Sequence, residues 1–277
     1  MDEFKAANRD NWDDRVAIHW GPDGYDAPGF IADPARITDV VSFDRAYLDV
    51  AGKRLLHLQC HFGMDTLSWA RLGADVTGVD FSERAIAAAR RISAESGTPG
   101  TFVLSELYDT PANLSGEFEV VYTGVGAINW LPDIEGWARV VAHFMAPGGV
   151  FYMREGHPVL WGLDWRDDDS TELQIRFPYF ETPDPVPWDE ASSYSGSGTL
   201  EHTRTNEWNH GIGEVFTALT NAGLEVTMLA EHRSLEWQGL PHMTLGDDGL
   251  WRLPPEQRDL VPLMFTMSAR KRPNAQS

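Results

Sequence analysis

Cysteine is nearly absent from this 277-residue chain: Cys60 stands alone, so no internal disulfide can form and no cysteine-clustered zinc site can be built. Inside the stretch LLHLQCHFGMDTL (55–67) it reads as a small buried wall residue. No apolar run approaches the roughly 20 residues needed to cross a bilayer. The segment MDEFKAANRDNWDD is acidic and polar and has no apolar core of the kind a signal peptide needs. The expectation is a cytoplasmic protein with no membrane partner. Basic clusters are also missing apart from RKR at 270–272, and the formal charge is -20. Such a surface repels a phosphate backbone, which argues against nucleic acid as a partner. Asp167, Asp168 and Asp169 resemble a metal cluster only at first glance. Consecutive acids point in different directions and no histidine adjoins them, so a solvated loop and no metal are expected.

What is present fits one large α/β domain with an elaborated substrate region. Hydrophobic residues make up 42% and charged residues 23%, ordinary globular usage. Short β-branched or aromatic runs at 54–59, 74–80, 101–104, 118–123 and 149–154 are bounded by turn residues and separated mostly by helical patterns. That alternation predicts parallel strands joined by right-handed crossovers. Ser82 is placed to cap a helix running to Gly97, and Asp133 to cap one whose Ile134, Trp137, Val141 and Phe144 share a face. From 155 to 207 the texture changes to Pro, Trp, Tyr, Asp and Ser, which reads as an insertion. The core resumes around GEVFTALTNAG (213–223), and two late strands with no helix between them predict an antiparallel pair at the sheet edge. The expected division is an N-terminal lid over 1–50, a core over 51–154 and 208–272, and a substrate-binding insertion over 155–207.

The loop after the first strand sits where open α/β folds bind ligands. Gly63 permits a close backbone approach or a positive φ, but Gln59 and His61 put side chains where a pyrophosphate turn wants bare backbone. The dinucleotide fingerprint G-x-G-x-x-G is absent, and so is the Tyr-x-x-x-Lys pair of short-chain oxidoreductases. Asp80 ends the second strand, 17 residues after Gly63, at a spacing suited to a carboxylate that accepts both hydroxyls of an adenosine ribose. A plain helix-capping role for Asp80 is the alternative.

With HLQCHFG at 57–63, VTGVDFS at 76–82, SELYD at 105–109, EFEVVYTGVGAINWLPD at 117–133 and MAPGG at 145–149, the chain resembles a class I S-adenosylmethionine-dependent methyltransferase. More narrowly, LHLQCHFG and REGHP make it similar to an actinobacterial-type small-molecule group. The resemblance implies a Rossmann-like seven-stranded mixed sheet with its last strand antiparallel, and S-adenosylmethionine as cofactor. It further implies that Gln59, Cys60, His61 and Gly63 surround the methionine part, that Asp80 holds the ribose and that Phe81 lies against adenine. Glu106 and Leu107 approach the adenine edge, and Thr123 and Gly124 line the methionine end. The first loop departs from the family's D-x-G-x-G-x-G, which leaves open whether Gln59 and His61 touch the ligand or only wall it in.

TGVGAINW after the fourth strand differs from the Asn/Asp-Pro-Pro-Tyr sequence of enzymes that methylate nucleobase or glutamine nitrogens. Eleven tryptophans, several of them outside the core strands, suit either a lid over an aromatic acceptor or simple packing. Trp20, Trp130, Trp161 and Trp208 are the candidate pocket residues, with Trp12, Trp165 and Trp188 on the same segments. Methyl transfer needs a base only if the acceptor loses a proton. His157, with Glu155 as its orienting partner or as the base itself, is the first candidate, unless the Gly-His-Pro turn only redirects the chain. His210, beside Glu207 and Trp208, and Tyr25 in the N-terminal segment are the others, and each has a capping or packing alternative. The expected activity is methyl transfer to a small aromatic or heteroaromatic, indole- or phenol-like natural-product intermediate at carbon, nitrogen or oxygen. The altered loop keeps a non-catalytic cofactor-binding sensor or partner subunit open as an alternative, and more weakly another reaction that uses the sulfonium only as a charge.

Overall fold

A computed structural model describes residues 3–164 and 171–272. Trp165 and Asp167, Asp168 and Asp169 lie outside the described residues. The chain begins with helices α1 (Glu3–Trp20), α2 (Ala27–Ala32) and α3 (Asp39–Asp44). There follow β1 (Arg54–Leu58), α4 (Met64–Arg71), β2 (Asp75–Asp80), α5 (Glu83–Ser96), β3 (Thr101–Leu104), α6 (Thr110–Asn113), β4 (Phe118–Thr123), α7 (Ile134–Phe144) and β5 (Met145–Gly156). After β5 come α8 (Pro158–Gly162) and the antiparallel pair β6 (Val186–Asp189) and β7 (Arg204–Glu207). Next are α9 (Ile212–Asn221), β8 (Leu224–His232), the short pair β9 (Thr244–Leu245) and β10 (Trp251–Arg252), and finally β11 (Met264–Lys271).

The main sheet has seven strands in the order β3-β2-β1-β4-β5-β11-β8. β1 to β5 pair in parallel, and β11 runs antiparallel to both β5 and β8. β1 to β5 are the parallel strands that the alternation of runs predicts, the seven-stranded mixed sheet is the one the resemblance implies, and the late pair does lie at one edge, with β8 outermost. β5 starts earlier than expected, at Met145 directly after α7. The Pro147-Gly148-Gly149 stretch bulges out of the ladder between the pairs Phe118–Met145 and Val120–Val150, and Gly148 takes φ +79°.

Side chains alternate between two covered faces, as parallel strands buried on both sides require. Leu56, Leu58, Val121 and Phe151 pack against α7 and α9, while Leu55, Val76, Val120 and Tyr122 pack with Val41 of α3 and Trp69 of α4. Ser82 Oγ accepts from Ala85 N at 2.9 Å, and Asp133 Oδ1 accepts from Gly136 N at 2.7 Å, so both expected caps are formed. The α7 stripe of Ile134, Trp137, Val141 and Phe144 is buried as its spacing predicts.

One polar cluster crosses these layers. Arg154 of β5 is 1% exposed, and its Nε donates to Asp44 Oδ1 at 2.7 Å while Nη1 pairs with Glu236. Tyr122 and Tyr152 donate to the same Asp44 carboxylate at 2.7 and 2.8 Å. Removing one partner of a buried pair leaves the other charge uncompensated, so Arg154→Ala is expected to cost about 3–5 kcal/mol in urea unfolding. Arg54→Ala, which breaks the exposed Arg54–Glu119 pair, should leave the midpoint nearly unmoved.

Candidate functional site

β1 leaves the sheet after Leu58 in an alternating left-handed turn: φ is +58° at Gln59, +48° at His61 and +73° at Gly63. These are the positions where the resemblance expects glycine, and the backbone keeps that shape with two bulky residues in it. A side chain in this region costs roughly 1–2 kcal/mol per residue. Several bonds hold the turn against that cost. Cys60 N donates to Val79 O (2.9 Å), His61 N to Asp80 Oδ2 (2.8 Å) and Gln59 Nε2 to Ala127 O (2.9 Å). At Gly63 no side chain fits, because a Cβ there would stand 2.5 Å from Phe102 Cε1.

Asp80 Oδ1 accepts from Ser82 N at 2.9 Å, so each carboxylate oxygen takes one backbone N–H. Ser82, not Asp80, supplies the helix cap. Burial pushes the Asp80 carboxyl up to about 6, and the N–H donors of Ser82 and His61 pull it back only in part.

The turn wraps a cavity of about 700 Å³ above the carboxyl ends of β1, β2 and β4. One end carries Asp80, Phe81, Ser105, Glu106 and Leu107. There Glu106 accepts from Tyr108 N at 2.7 Å and pairs with Lys5 at 3.2 Å. The remaining wall includes Gly124, Val125 and Gly126 together with Asp65, Glu236, Trp237 and Trp251. Trp12, Tyr25, Trp130 and Tyr194 also border it, and Trp12 meets Trp130 edge-on with centroids 5.3 Å apart.

An adenosyl ligand fits this donor set. Gln59 Oε1 and His61 Nδ1 are buried without a hydrogen-bond partner among the described residues, and both side chains line the cavity. The two basic side chains on the wall are already paired, Lys5 with Glu106 and Arg36 with Asp26, and the turn itself carries no cation for a phosphate.

Of the residues expected from sequence, Gln59, Cys60, His61, Gly63, Asp80, Phe81, Glu106, Leu107, Gly124, Tyr25 and Trp130 line the cavity. Thr123 is fully buried and off the cavity wall. The expected acid–base pair is not brought there. His157 caps α8: Nδ1 accepts from Val159 N at 3.1 Å, and Nε2 lies 3.0 Å from Glu231, so both ring nitrogens are engaged. Glu155 is not its orienting partner, because its carboxylate accepts from Gly126 N, Ala127 N and Gly156 N at 2.7 Å each and from Ile128 N at 3.1 Å. Its task is to shape the loop after β4. His210 is buried with Nε2 2.9 Å from Leu131 O and Nδ1 2.9 Å from Glu181. Trp20 packs on Phe62 beneath Arg91, Trp161 stacks on Trp237 and Trp208 meets Phe4, each off the cavity wall. Arg36, Asp65, Glu236, Trp237 and Trp251 are wall residues with no local signal in the sequence, since distant segments bring them together.

Residues 56–151 match the family model described as a methyltransferase domain. The matched stretch runs from β1 into β5, which is the parallel part of the sheet. Among curated relatives, the ubiquinone biosynthesis O-methyltransferase of Xanthomonas oryzae pv. oryzae is 33% identical over 154 residues, which cover 55% of this chain and 59% of the relative. The match thus spans less than two thirds of that relative. Among solved structures, an S-adenosylmethionine-dependent methyltransferase from Mesorhizobium loti aligns with TM-score 0.55 at 20% identity, covering 83% of this chain and 96% of that one. The glycopeptide N-methyltransferase MtfA, solved with S-adenosylmethionine, aligns with TM-score 0.51 at 16% identity, covering 85% and 93%. At these identities the likeness to the solved structures is one of fold.

Gly63→Ala tests the turn. The added Cβ meets both the Phe102 ring and a left-handed φ, so a loss of at least about 2 kcal/mol in urea unfolding is expected. A loss below about 0.5 kcal/mol would show that the turn does not constrain this position.

Proposed function

We propose that the protein transfers a methyl group from S-adenosylmethionine to a small aromatic or heteroaromatic acceptor of the phenol or indole kind. The observation that carries this reading is the left-handed turn at 59, 61 and 63, which encloses a cavity with a buried carboxylate at the end of β2. S-adenosylmethionine, when bound, supplies a methyl group on a cationic sulfonium. Asp80 would accept the ribose hydroxyls, Phe81 and Leu107 would flank the adenine with Glu106 at its edge, and the 59–63 turn with Gly124 would hold the methionine part. Trp12, Tyr25, Trp130 and Tyr194, with Trp237 and Trp251, supply rigid aromatic walls that position an acceptor and exclude water. One named similarity supports methylation of a heteroatom: the relative that is 33% identical over 154 residues is an O-methyltransferase.

Isothermal titration with S-adenosylmethionine tests the cofactor half, and a folded sample that does not bind would sink it. Asp80→Ala removes a charged acceptor and is expected to weaken binding about 10- to 100-fold. The pH dependence follows from the raised carboxyl. Above about 6 the group is ionised and offers its full set of acceptor sites, and below it one oxygen carries a proton. Affinity should therefore fall as pH drops through about 6, and Asp80→Asn should flatten that part of the profile. Mass spectrometry with labelled donor over a panel of phenols and indoles tests the acceptor half. Binding with no turnover on any of them would favour a cofactor sensor.

A further inference from the structure

We infer that His61, His19 and Ser193 form a proton exit from the cavity, with His61 Nδ1 taking the proton that an O–H or N–H acceptor loses on methylation. This rests on the methyl-transfer reading and deepens it by requiring an acceptor atom that gives up a proton.

His61 lines the cavity in a left-handed conformation, a strained position for a histidine, and its Nδ1 is buried without a partner among the described residues. On the other side of the ring, Nε2 lies 3.3 Å from His19 Nδ1. The fully buried His19 ring continues the path, with Nε2 2.7 Å from Ser193 Oγ. Ser193 is partly exposed and also accepts from Arg15 Nη1 at 3.2 Å. The contacts thus run from a residue of the cavity wall through two imidazoles to the hydroxyl of a partly exposed serine.

A neutral imidazole has one N–H and one bare nitrogen. For both contacts to be hydrogen bonds, the two rings must carry their protons on the same atom. If both are on Nε2, His61 donates to His19, His19 donates to Ser193, and His61 Nδ1 is bare. If both are on Nδ1, every bond reverses. One pattern converts to the other as a proton enters at His61 Nδ1. The His61 Nε2 proton then moves to His19 Nδ1, the His19 Nε2 proton to Ser193 Oγ, and the Ser193 hydroxyl proton to water. The acceptor keeps the electron pair of its O–H or N–H bond, and one proton reaches water for each proton taken.

Burial, reinforced by Arg15, works against charge on these rings. It brings His19 down to about 3 and holds His61, which also faces His19, well below its ordinary value. A ring that cannot stay charged must release one proton as it accepts another, which favours a relay over storage on a single base. The other titratable groups around the pair are Tyr25, Tyr194 after β6, Asp65 on α4 and Asp80, which takes the His61 backbone N–H.

Nitrogen-15 histidine NMR on the full chain, with and without S-adenosylhomocysteine, separates a relay from a contact that only docks α1. The expected result is two neutral rings protonated on like nitrogens between about pH 5.5 and 8.5, with the His61 ring proton exchanging with water despite its burial. In Ser193→Ala that exchange is expected to slow by at least about tenfold. Rings protonated on unlike nitrogens, a ring that is charged near pH 6, or His61 exchange that ignores the loss of the serine hydroxyl would each overturn the relay. His19→Gln, whose amide can keep a contact but cannot pass a proton through, is read in the same way and guards against a Ser193 variant that fails to fold. Calorimetry on the same samples keeps the two readings apart. A wild-type protein that does not bind S-adenosylhomocysteine overturns the cofactor assignment, while the ring measurements without ligand still decide the relay.

Discussion

A guanidinium that cannot lose its proton sits in the middle of the sheet, and the walls of the cavity are arranged around it. Removing such a group from water costs several kcal/mol unless opposite charge meets it with good geometry. Arg154 obtains that compensation from two distant segments, Asp44 on α3 and Glu236 after β8. Tyr122 and Tyr152 complete the Asp44 carboxylate, so the cluster ties neighbouring strands to the N-terminal helices. Glu236 and its neighbour Trp237 are themselves cavity wall. The demand of one buried charge therefore places the loop after β8 where it borders the site.

A second chain of dependence runs from Glu155 to the cofactor turn. The carboxylate is buried and takes four backbone N–H groups, three of them from Gly126, Ala127 and Ile128. Having its donors engaged, the loop after β4 presents the Ala127 carbonyl to Gln59 Nε2. That bond and the His61–Asp80 bond hold two side-chain-bearing residues in a backbone shape that glycine adopts freely. Glu155 thus serves the site without facing the cavity. Its residue type suits an acid or base but its place does not, because a carboxylate's partners are set by the fold and not by its neighbours along the chain.

What was legible depended on whether the signal was local. Ser82, Asp133 and the apolar stripe of α7 are decided within a few residues, and each is found as expected. Asp80 was legible because strand end and loop spacing fix it together. His157 shows the opposite case: Gly-His-Pro places a histidine at a helix start, where one ring nitrogen accepts from the Val159 N–H and the other meets the distant Glu231. α1 has no apolar stripe, because its buried face is mostly polar. Asn8, Asn11, Asp14, Arg15 and His19 recur at helical spacing and are buried, yet a pattern search keyed to apolar residues does not register them.

That polar face also determines how α1 is held. Asn8 exchanges two hydrogen bonds of 2.7 Å with the Asn206 backbone of β7, Asn11 donates to His202 O at 2.6 Å, and Asp14 accepts from the N–H groups of Glu201 and His202. Each such bond contributes a net of roughly 0.5–1.5 kcal/mol, because water can replace it when the helix lifts. Apolar docking of the same area would lose that exchange, since the exposed surface would have nothing to gain from water. A wall that carries Trp12, and on its far turn His19, is thereby fastened by contacts that solvent can take over. The sheet beneath it, packed on both faces, has no comparable alternative.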